Sequence, residues 1–427
     1  MKACTSYIII HTNFKNQIGL PAQPNSQTGN YIVYWWNDIA LGQVFIEPGN
    51  TLSEKEYQAK IINAIKPALN FYARKLPGKK ENWQSLLERH DYVGWQNWMK
   101  AVFSNWLWDE SIKKVPVSVV VCTHNRSAFI GQCINQLTSQ FCLPEEIIIV
   151  DNAPPDDSTK DIVEKFTGVT YVREPRAGLD IARNTGALSA KFPIVAYVDD
   201  DVQVHPLWTY RIWETFNDPA VSGVTGLVIA SKLETEAQVI FETRFSFNRG
   251  YFDKIFDHNF FKANLRFPNW KIGPGANMSF RKEALLKVGL FDELLEVGPK
   301  AAGCDGDSEM YFKLMNNGYA MYYNPRAIVH HEHRKDIKGL KKQIYNYFRG
   351  YSAAALSMQK QNKEAGYYKI LFKNFPRKYM RHIIKGFPKY EFTYKTLGVE
   401  IKGFLSGLLF YARNHRQLGN SYYKSDK

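Results

Sequence analysis

Residues 117–126 read VSVVVCTHNR, an apolar, largely β-branched run that ends on four polar residues. A strand with apolar side chains pointing both ways is buried on both faces, as the central strands of a parallel sheet are. Working outward, the next stretch sets Ile130, Cys133, Ile134 and Leu137 at helical spacing, and Ile147–Val150 forms a second strand ending on Asp151. Ser158 with Asp161 reads as a capping pair opening a helix that ends near Phe166, Val169–Val172 is a third strand, and Ile194–Val198 is a fourth that runs into Asp199, Asp200 and Asp201. Short strands alternating with helices of about ten residues predict a three-layer α/β/α domain with a mostly parallel sheet.

In such a sheet, ligands bind in the crevice at the carboxyl ends of the strands. Strand one delivers Thr123, His124, Asn125 and Arg126 there, strand two Asp151 and Asn152, and strand four the three aspartates. A single Asp at a strand end is commonly a turn or cap. Three in a row repel one another at the edge of an apolar strand, and a divalent cation (Mn or Mg) bound through oxygen offsets that repulsion. The turn after strand one contains no glycine, and neither Gly-x-Gly-x-x-Gly nor a P-loop follows any strand, which removes support for dinucleotide and ATP chemistry.

The rest of the chain frames this segment. At 427 residues with 45% apolar composition it can bury a large core, and it divides by pattern into 1–113, 114–335 and 336–427. The first region has strand-like runs at Tyr31–Trp35 and Gln43–Ile46, a helix over Ser53–Ala73 and a tryptophan-dense stretch, Trp95–Trp108, that reads as core. The five cysteines are odd in number, scattered and without a Cys-x-x-Cys pair, as expected of reduced thiols. No apolar run approaches the roughly 20 residues of a membrane span, and no cleavage site follows Lys2, so a cytoplasmic protein is expected. From Arg334 onward 21 Lys and Arg stand against 5 Asp and Glu, a balance of +16 within a total of +14. This tail reads as amphipathic helix broken at Pro376 and Pro388. Its lysines are interleaved with Tyr, Phe and Leu, which suits an anionic membrane surface better than nucleic acid, while a solvated helical face is the plainer reading.

Six segments, VSVVVCTHNR (117–126), EEIIIVDNA (145–153), REPRAGLDIARNTGAL (173–188), IVAYVDDD (194–201), GPGANMSFRKEAL (273–285) and GDSEMYFKLMNNG (306–318), together resemble the GT-A catalytic domain of family 2 inverting glycosyltransferases. The resemblance covers residues 115 to 335. It implies a nucleotide-sugar donor whose base and ribose are cradled by Thr123, Asn125, Arg126 and Asp151, with Arg176, Gly178, Arg183 and Asn184 lining the same pocket. Asp199 and Asp201 match the Asp-x-Asp pair that touches ribose and metal, with Asp200 between them. Gly275, Ala276 and Asn277 match the acceptor-side loop, whose acceptor is a glycan or a lipid-linked hydroxyl. A Glu-Asp pair opens the helix that carries the catalytic base in the resembling enzymes. Here that base aligns with Asp307, but Gly306 replaces the Glu, which leaves Asp305 as an alternative. A histidine near the end of the domain reaches the metal or diphosphate, which singles out His331 and His333, the members of the His330–His333 cluster that share a face by strand alternation.

Each residue also has a plainer reading: Arg183 as a salt-bridged helix residue, Asn184 as a polar helix residue, the acids at 305–309 as helix-dipole complements, and His331 or His333 as strand-end histidines bonded to backbone. The aromatic stretch Phe241–Trp270 is either an acceptor lid or local packing. A nucleotidyltransferase, and a sugar- or membrane-binding module with a lost catalytic site, are the rival functions.

Overall fold

The computed structural model describes residues 6–419 except 18, 25–26, 76–81, 389 and 391, so Cys4 and the last eight residues of the basic tail lie outside the described part. Strand β1 (Tyr7–Asn13) pairs in parallel with β2 (Gly29–Trp36), which pairs antiparallel with β3 (Ile39–Ile46). The reversal falls on Asn37, whose φ of 51° is a left-handed conformation that asparagine tolerates. Helix α1 (Glu54–Tyr72) starts at a reciprocal cap between Ser53 and Glu56. Trp95, Trp98 and Trp106 are buried, as their density in the sequence suggests. Leu227, Ile229, Leu233 and Ile328 belong to the same apolar cluster, so this unit is fused to the large sheet through a common core. Polar contacts seal the junction: Arg211 pairs with Asp38 at 2.6 Å, and Arg326 lies over the Trp106 ring at 4.5 Å.

The large sheet holds the expected parallel strands β4 (Lys114–Thr123), β5 (Leu143–Asn152), β6 (Val169–Glu174) and β7 (Ile194–Asp199) in the order β6-β5-β4-β7. Helix α2 (Ser127–Thr138) buries Ile130, Cys133, Ile134 and Leu137 on one face of it. Helix α3 (Leu179–Ser189) covers the other face and comes close enough that Gly186 leaves no room for a Cβ against Val120. Beyond β7 the sheet turns mixed. Short β8 (Val202–Val204) pairs with β12; β9 (Val221–Ala230) carries helix α4 (Glu236–Arg244) after it; and β10 (Lys254–Phe256), β11 (Asn277–Arg281) and β12 (Ala320–His331) complete the order β10-β12-β9-β11-β7. β11 runs antiparallel to both neighbours, and helix α5 (Gly306–Asn316) buries Met310 and Leu314.

Two expectations are corrected. Ser158 and Asp161 do not form a cap: the helix there spans Ser158–Val163, its cap residue is Asp157, and the Ser158 N–H bonds the Asp156 carboxylate instead. Pro376 does not break a helix. After α6 (Ile337–Gln361) has ended, residues 367–369 are α-helical and 370–374 form a π-turn that runs directly into α7 (Phe375–Gly386), so the helix changes its winding just before Pro376 instead of ending there. α8 (Leu397–Asn414) packs back along α6, with Gly403 and Gly407 allowing close backbone approach to Tyr345 and Arg349. No helix among the described residues is long and apolar enough to cross a membrane.

The contact under Gly186 gives a direct test. Gly186→Leu, which must displace Val120 and Val150, is expected to lower unfolding stability by ~1–3 kcal/mol in urea titration. Gly131→Ala on α2, whose Cβ would meet nothing nearer than Ile162 at 3.8 Å, is expected to hold or slightly raise it.

Candidate active site

The strand register brings the predicted strand ends together: Thr123 lies beside Asp151 across β4 and β5, and Cys122 beside Asp199 across β4 and β7. Asp151 is fully buried, accepts from the Tyr171 hydroxyl at 3.0 Å, and keeps its second oxygen without a protein partner. Burial raises its pKa against the pull of Tyr171 and Thr159. Asn125 turns the chain after β4 with φ 52°. Asn152 is used locally, donating to the Arg176 carbonyl at 2.7 Å and accepting from the Gly178 N–H at 2.9 Å, which pins the loop that leads into α3.

The aspartate run divides its roles. Asp200 is buried, accepts from Thr123 Oγ1 at 2.7 Å and pairs with Arg126 at 2.7 Å. The other guanidinium nitrogen of Arg126 reaches Asp201 at 2.9 Å. Burial, then the neighbouring Asp201, pushes the Asp199 carboxyl up to about 7, whereas at Asp201 burial is outweighed by its cationic neighbours, Arg126 with its hydrogen bond among them, and the carboxyl stays below the ordinary range. Strand β8 pairs Val202 with His331, which carries the imidazole to 3.9 Å from Asp201. Asp199, Asp201 and His331 therefore offer oxygen and nitrogen atoms within 4.8 Å of one another, close to the span of two metal–ligand bonds of about 2.1 Å each. The His331 Nδ1 is buried without a partner, and burial pushes its pKa down to about 4, so the ring is neutral and has a lone pair to give. These residues fit a divalent cation. His333 is not brought to this cluster: β12 ends at His331, and helix α4 captures the His333 ring, with Glu242 at 2.9 Å and Phe241 packed at 4.4 Å.

A second acidic wall faces the first across Arg183. This arginine is 5% exposed and donates to Asp180 at 2.9 Å and Glu296 at 3.4 Å. Burial opposes its charge, yet Asp180, Glu296, Asp199 and Asp307 together hold it protonated. Asp307 accepts from the Gly275 N–H at 2.7 Å through one oxygen and from the Ser308 N–H at 2.6 Å through the other. A Cβ on Gly275 would lie 2.9 Å from Arg183 Nη2 and 3.0 Å from Asp307 Oδ2, so only glycine lets the backbone in between them. The missing Glu at 306 has a physical account. A Cβ at Gly306 would overlap the carboxylate of Asp180, which enters this space from α3.

Asp305 is a different kind of acid. It is 7% exposed, holds φ 78°, leaves one oxygen without a partner, and burial followed by Asp307 pushes its pKa up to about 8.

Other expected residues have mainly structural partners. Asn184 exchanges two hydrogen bonds with the Phe291 backbone, and Asn277 accepts from Trp208 and donates to Leu227 and Ala327 in the core below the loop. Ala276 is buried beside Asn277. Arg176, largely exposed, spans Glu174 and Glu293 at the rim, next to Gly178 at the start of α3. Four residues of the site escaped the sequence reading. Tyr171 and Asp180 carried a signal, one on the strand beside Asp151's and the other one helical turn before Arg183. Glu293 and Glu296 sit in a loop without periodicity and carried none.

Residues 118–289 match the family described as Glycosyl transferase family 2. Glucosyl-dolichyl phosphate glucuronosyltransferase of Haloferax volcanii is 22% identical over 57% of this chain and 77% of its own length. Pre-mycofactocin glycosyltransferase of Mycobacterium tuberculosis is 26% identical over 58% of this chain, which spans about half (49%) of that relative. Among solved structures, a mannosyltransferase from Pyrobaculum calidifontis in complex with GDP-Man and Mn2+ is similar at 18% identity, with a TM-score of 0.40 over 78% of this chain and 86% of that one.

The burial of Asp305 predicts a pH dependence. The unfolded chain releases this proton near an ordinary value of about 4 and the folded chain near 8, so the unfolded state binds fewer protons in between. Stability is then present in full below pH 4 and is lost as pH rises through the folded value. Asp305→Asn, which suits the left-handed φ, is expected to flatten that fall and to melt above the wild type at pH 8.5, by at most a few kcal/mol, with the two curves converging at pH 5.

Proposed function

Given that this chain belongs to glycosyl transferase family 2, we propose that it transfers a sugar from a nucleoside diphosphate donor to an acceptor hydroxyl with inversion at the anomeric carbon. The observation that carries this reading is the pair of facing walls: the Asp199, Asp201 and His331 cluster on one side of Arg183, and Asp307 on the other. Inverting displacement needs a carboxylate opposite the leaving diphosphate to take the acceptor's proton. Asp307 suits that role. Its two oxygens are oriented by the Gly275 and Ser308 N–H groups, and it is only half-buried. Asp305 does not suit it, because an acid held up to about 8 is protonated at neutral pH. Asp199, Asp201 and His331 would hold Mn or Mg, which when bound offsets charge on the departing diphosphate. Asp151, with its unpartnered oxygen, takes a hydrogen bond from base or ribose, and Thr123 and Arg126 set the aspartates in place.

Asp307→Asn is expected to lower transfer of labelled sugar about 10²–10⁴-fold in kcat while leaving calorimetric binding of UDP with Mn within a few-fold of wild type. Asp201→Ala is expected to abolish the metal-dependent heat. Undiminished, EDTA-resistant transfer by either variant refutes the mechanism, and NMR of the product's anomeric proton tests inversion directly.

The basic tail supports a membrane partner within the same reading. α7 has three faces: Phe375 and Tyr379 pack on Phe404 and Phe348; Arg377, Arg381 and Lys385 form a basic strip; and Met380, Ile383, Ile384 and Phe387 stand exposed at helical spacing. Exposed apolar residues next to a cationic strip suit the interface of an anionic bilayer, and we propose that the chain docks there peripherally. Ile384→Glu/Phe387→Glu is expected to reduce co-sedimentation with phosphatidylglycerol vesicles at least fivefold. Equal sedimentation of wild type and variant contradicts the assignment.

A further inference from the structure

An open groove of about 630 Å³ is lined by residues between Asn248 and Lys271, the segment that leads into the Gly275 loop. Three cations meet there: Arg249, Lys254 and Lys271. Among the described residues none of them pairs with a carboxylate. Arg249 donates to the carbonyls of Trp270 (3.0 Å), Asn248 (3.2 Å) and Ser246, and Lys254 donates to the Arg249 carbonyl. Arg249 and Lys271 lie over the Trp270 ring, at 5.2 and 5.6 Å. Burial, then Arg249 and Lys271, holds the Lys254 ammonium below its ordinary range. Like charges gathered without a directly paired carboxylate are costly, and an anion seated among them relieves the repulsion.

The groove also has an aromatic wall. Phe260 packs edge to face on both Phe256 and Phe267 at 5.1 Å, Phe256 and Phe267 meet at a tilt at 5.5 Å, Phe260 and Phe267 are partly open to solvent, and Trp270 is 42% exposed. A flat aromatic face next to cations takes a sugar ring and an attached oxyanion together. Its position relates it to the chemistry. From Trp270 the chain runs through Ile272, whose carbonyl accepts from Thr225 at 2.7 Å, to Gly275, whose N–H orients Asp307, and Arg249 lies within electrostatic reach of Asp307.

We propose that this groove binds the acceptor, and that the acceptor is an anionic saccharide carrying a phosphate or carboxylate group beside the ring that stacks on Trp270. The proposal rests on the glycosyltransferase reading for the identity of the bound sugar, but its binding test does not require turnover. Saturation-transfer NMR on the full chain, with methyl glucoside, methyl glucuronide and glucose 6-phosphate as probes, compares neutral, carboxylate and phosphate ligands on one sugar frame. Enhancements at least fivefold stronger for the charged probes, and weakened at least fivefold by Lys254→Ala/Lys271→Ala and by 0.5 M NaCl, are expected. The stronger of the two charged probes identifies a phosphate-bearing or a carboxylate-bearing acceptor. Equal enhancement of methyl glucoside, or charged-probe binding unchanged in a double variant whose melting temperature matches wild type, overturns the proposal. Trp270→Ala adds a second readout: it is expected to abolish the ring-proton enhancements, and their survival also counts against it. Loss of UDP binding in the calorimetry above would instead remove the donor reading and leave these outcomes as they stand.

Discussion

Arg183 is a guanidinium buried beneath the crevice, within reach of four carboxylates that come from four separate parts of the chain: Asp180 in its own helix, Asp199 at the end of β7, Glu296 in a loop, and Asp307 in α5. Removing such a charge from water costs several kcal/mol, and only close, well-directed partners compensate. The rest of the site follows from that condition. α3 must lie flat against β4 and β5 for Arg183 to reach inward, which is why Gly186 has no room for a side chain. The loop at 275 must pass between Arg183 and Asp307, which requires Gly275. Asp180 must enter the space above α5, which excludes a side chain at 306. Three glycines and one arginine thus answer to a single electrostatic requirement.

This explains which parts of the molecule were legible in the sequence. β4, β5 and β7 are apolar runs ending on polar groups, and their register sets Thr123, Asp151 and Asp199 side by side with no need for long-range information. β9 was not legible. Its run Val221–Ala230 contains Gly223 and Gly226, which read against a strand, yet a side chain at either would overlap Met321 or the Ala327 carbonyl. β12 carries a bulge between Asn324 and Ile328 that hides its alternation. At the site, residues on strand ends or helix faces were identifiable, whereas Glu293 and Glu296 gain their roles only through folding. The pairing of His331 with the aspartates depends on β8, three residues long, which no periodicity could reveal. His333 shows the reverse error, since strand alternation was extended past the residue at which the strand stops.

The glycine at 306 is the sharpest departure from the resembling pattern. A carboxylate nonetheless stands in that space, supplied by Asp180 from α3 and tied to Arg183. With one of its oxygens buried and unpartnered, Asp180 is poised above the first turn of α5 much as a residue of that turn would be.

The charges of the chain separate by location in a way that fits one reaction path. Upstream of Arg334 the net charge is −2, and the crevice is acidic except for Arg126 and Arg183, both already engaged by carboxylates. An anionic diphosphate does not enter such a crevice without added positive charge, which is the physical reason a cation at Asp199, Asp201 and His331 is required by the proposed donor site. Cations without an ion-pair partner among the described residues, in contrast, lie in the proposed acceptor groove at Arg249, Lys254 and Lys271 and, separately, along α7. The proposed donor and acceptor sites therefore present opposite electrostatic environments, and on that proposal a charged acceptor is steered to the groove rather than to the metal wall.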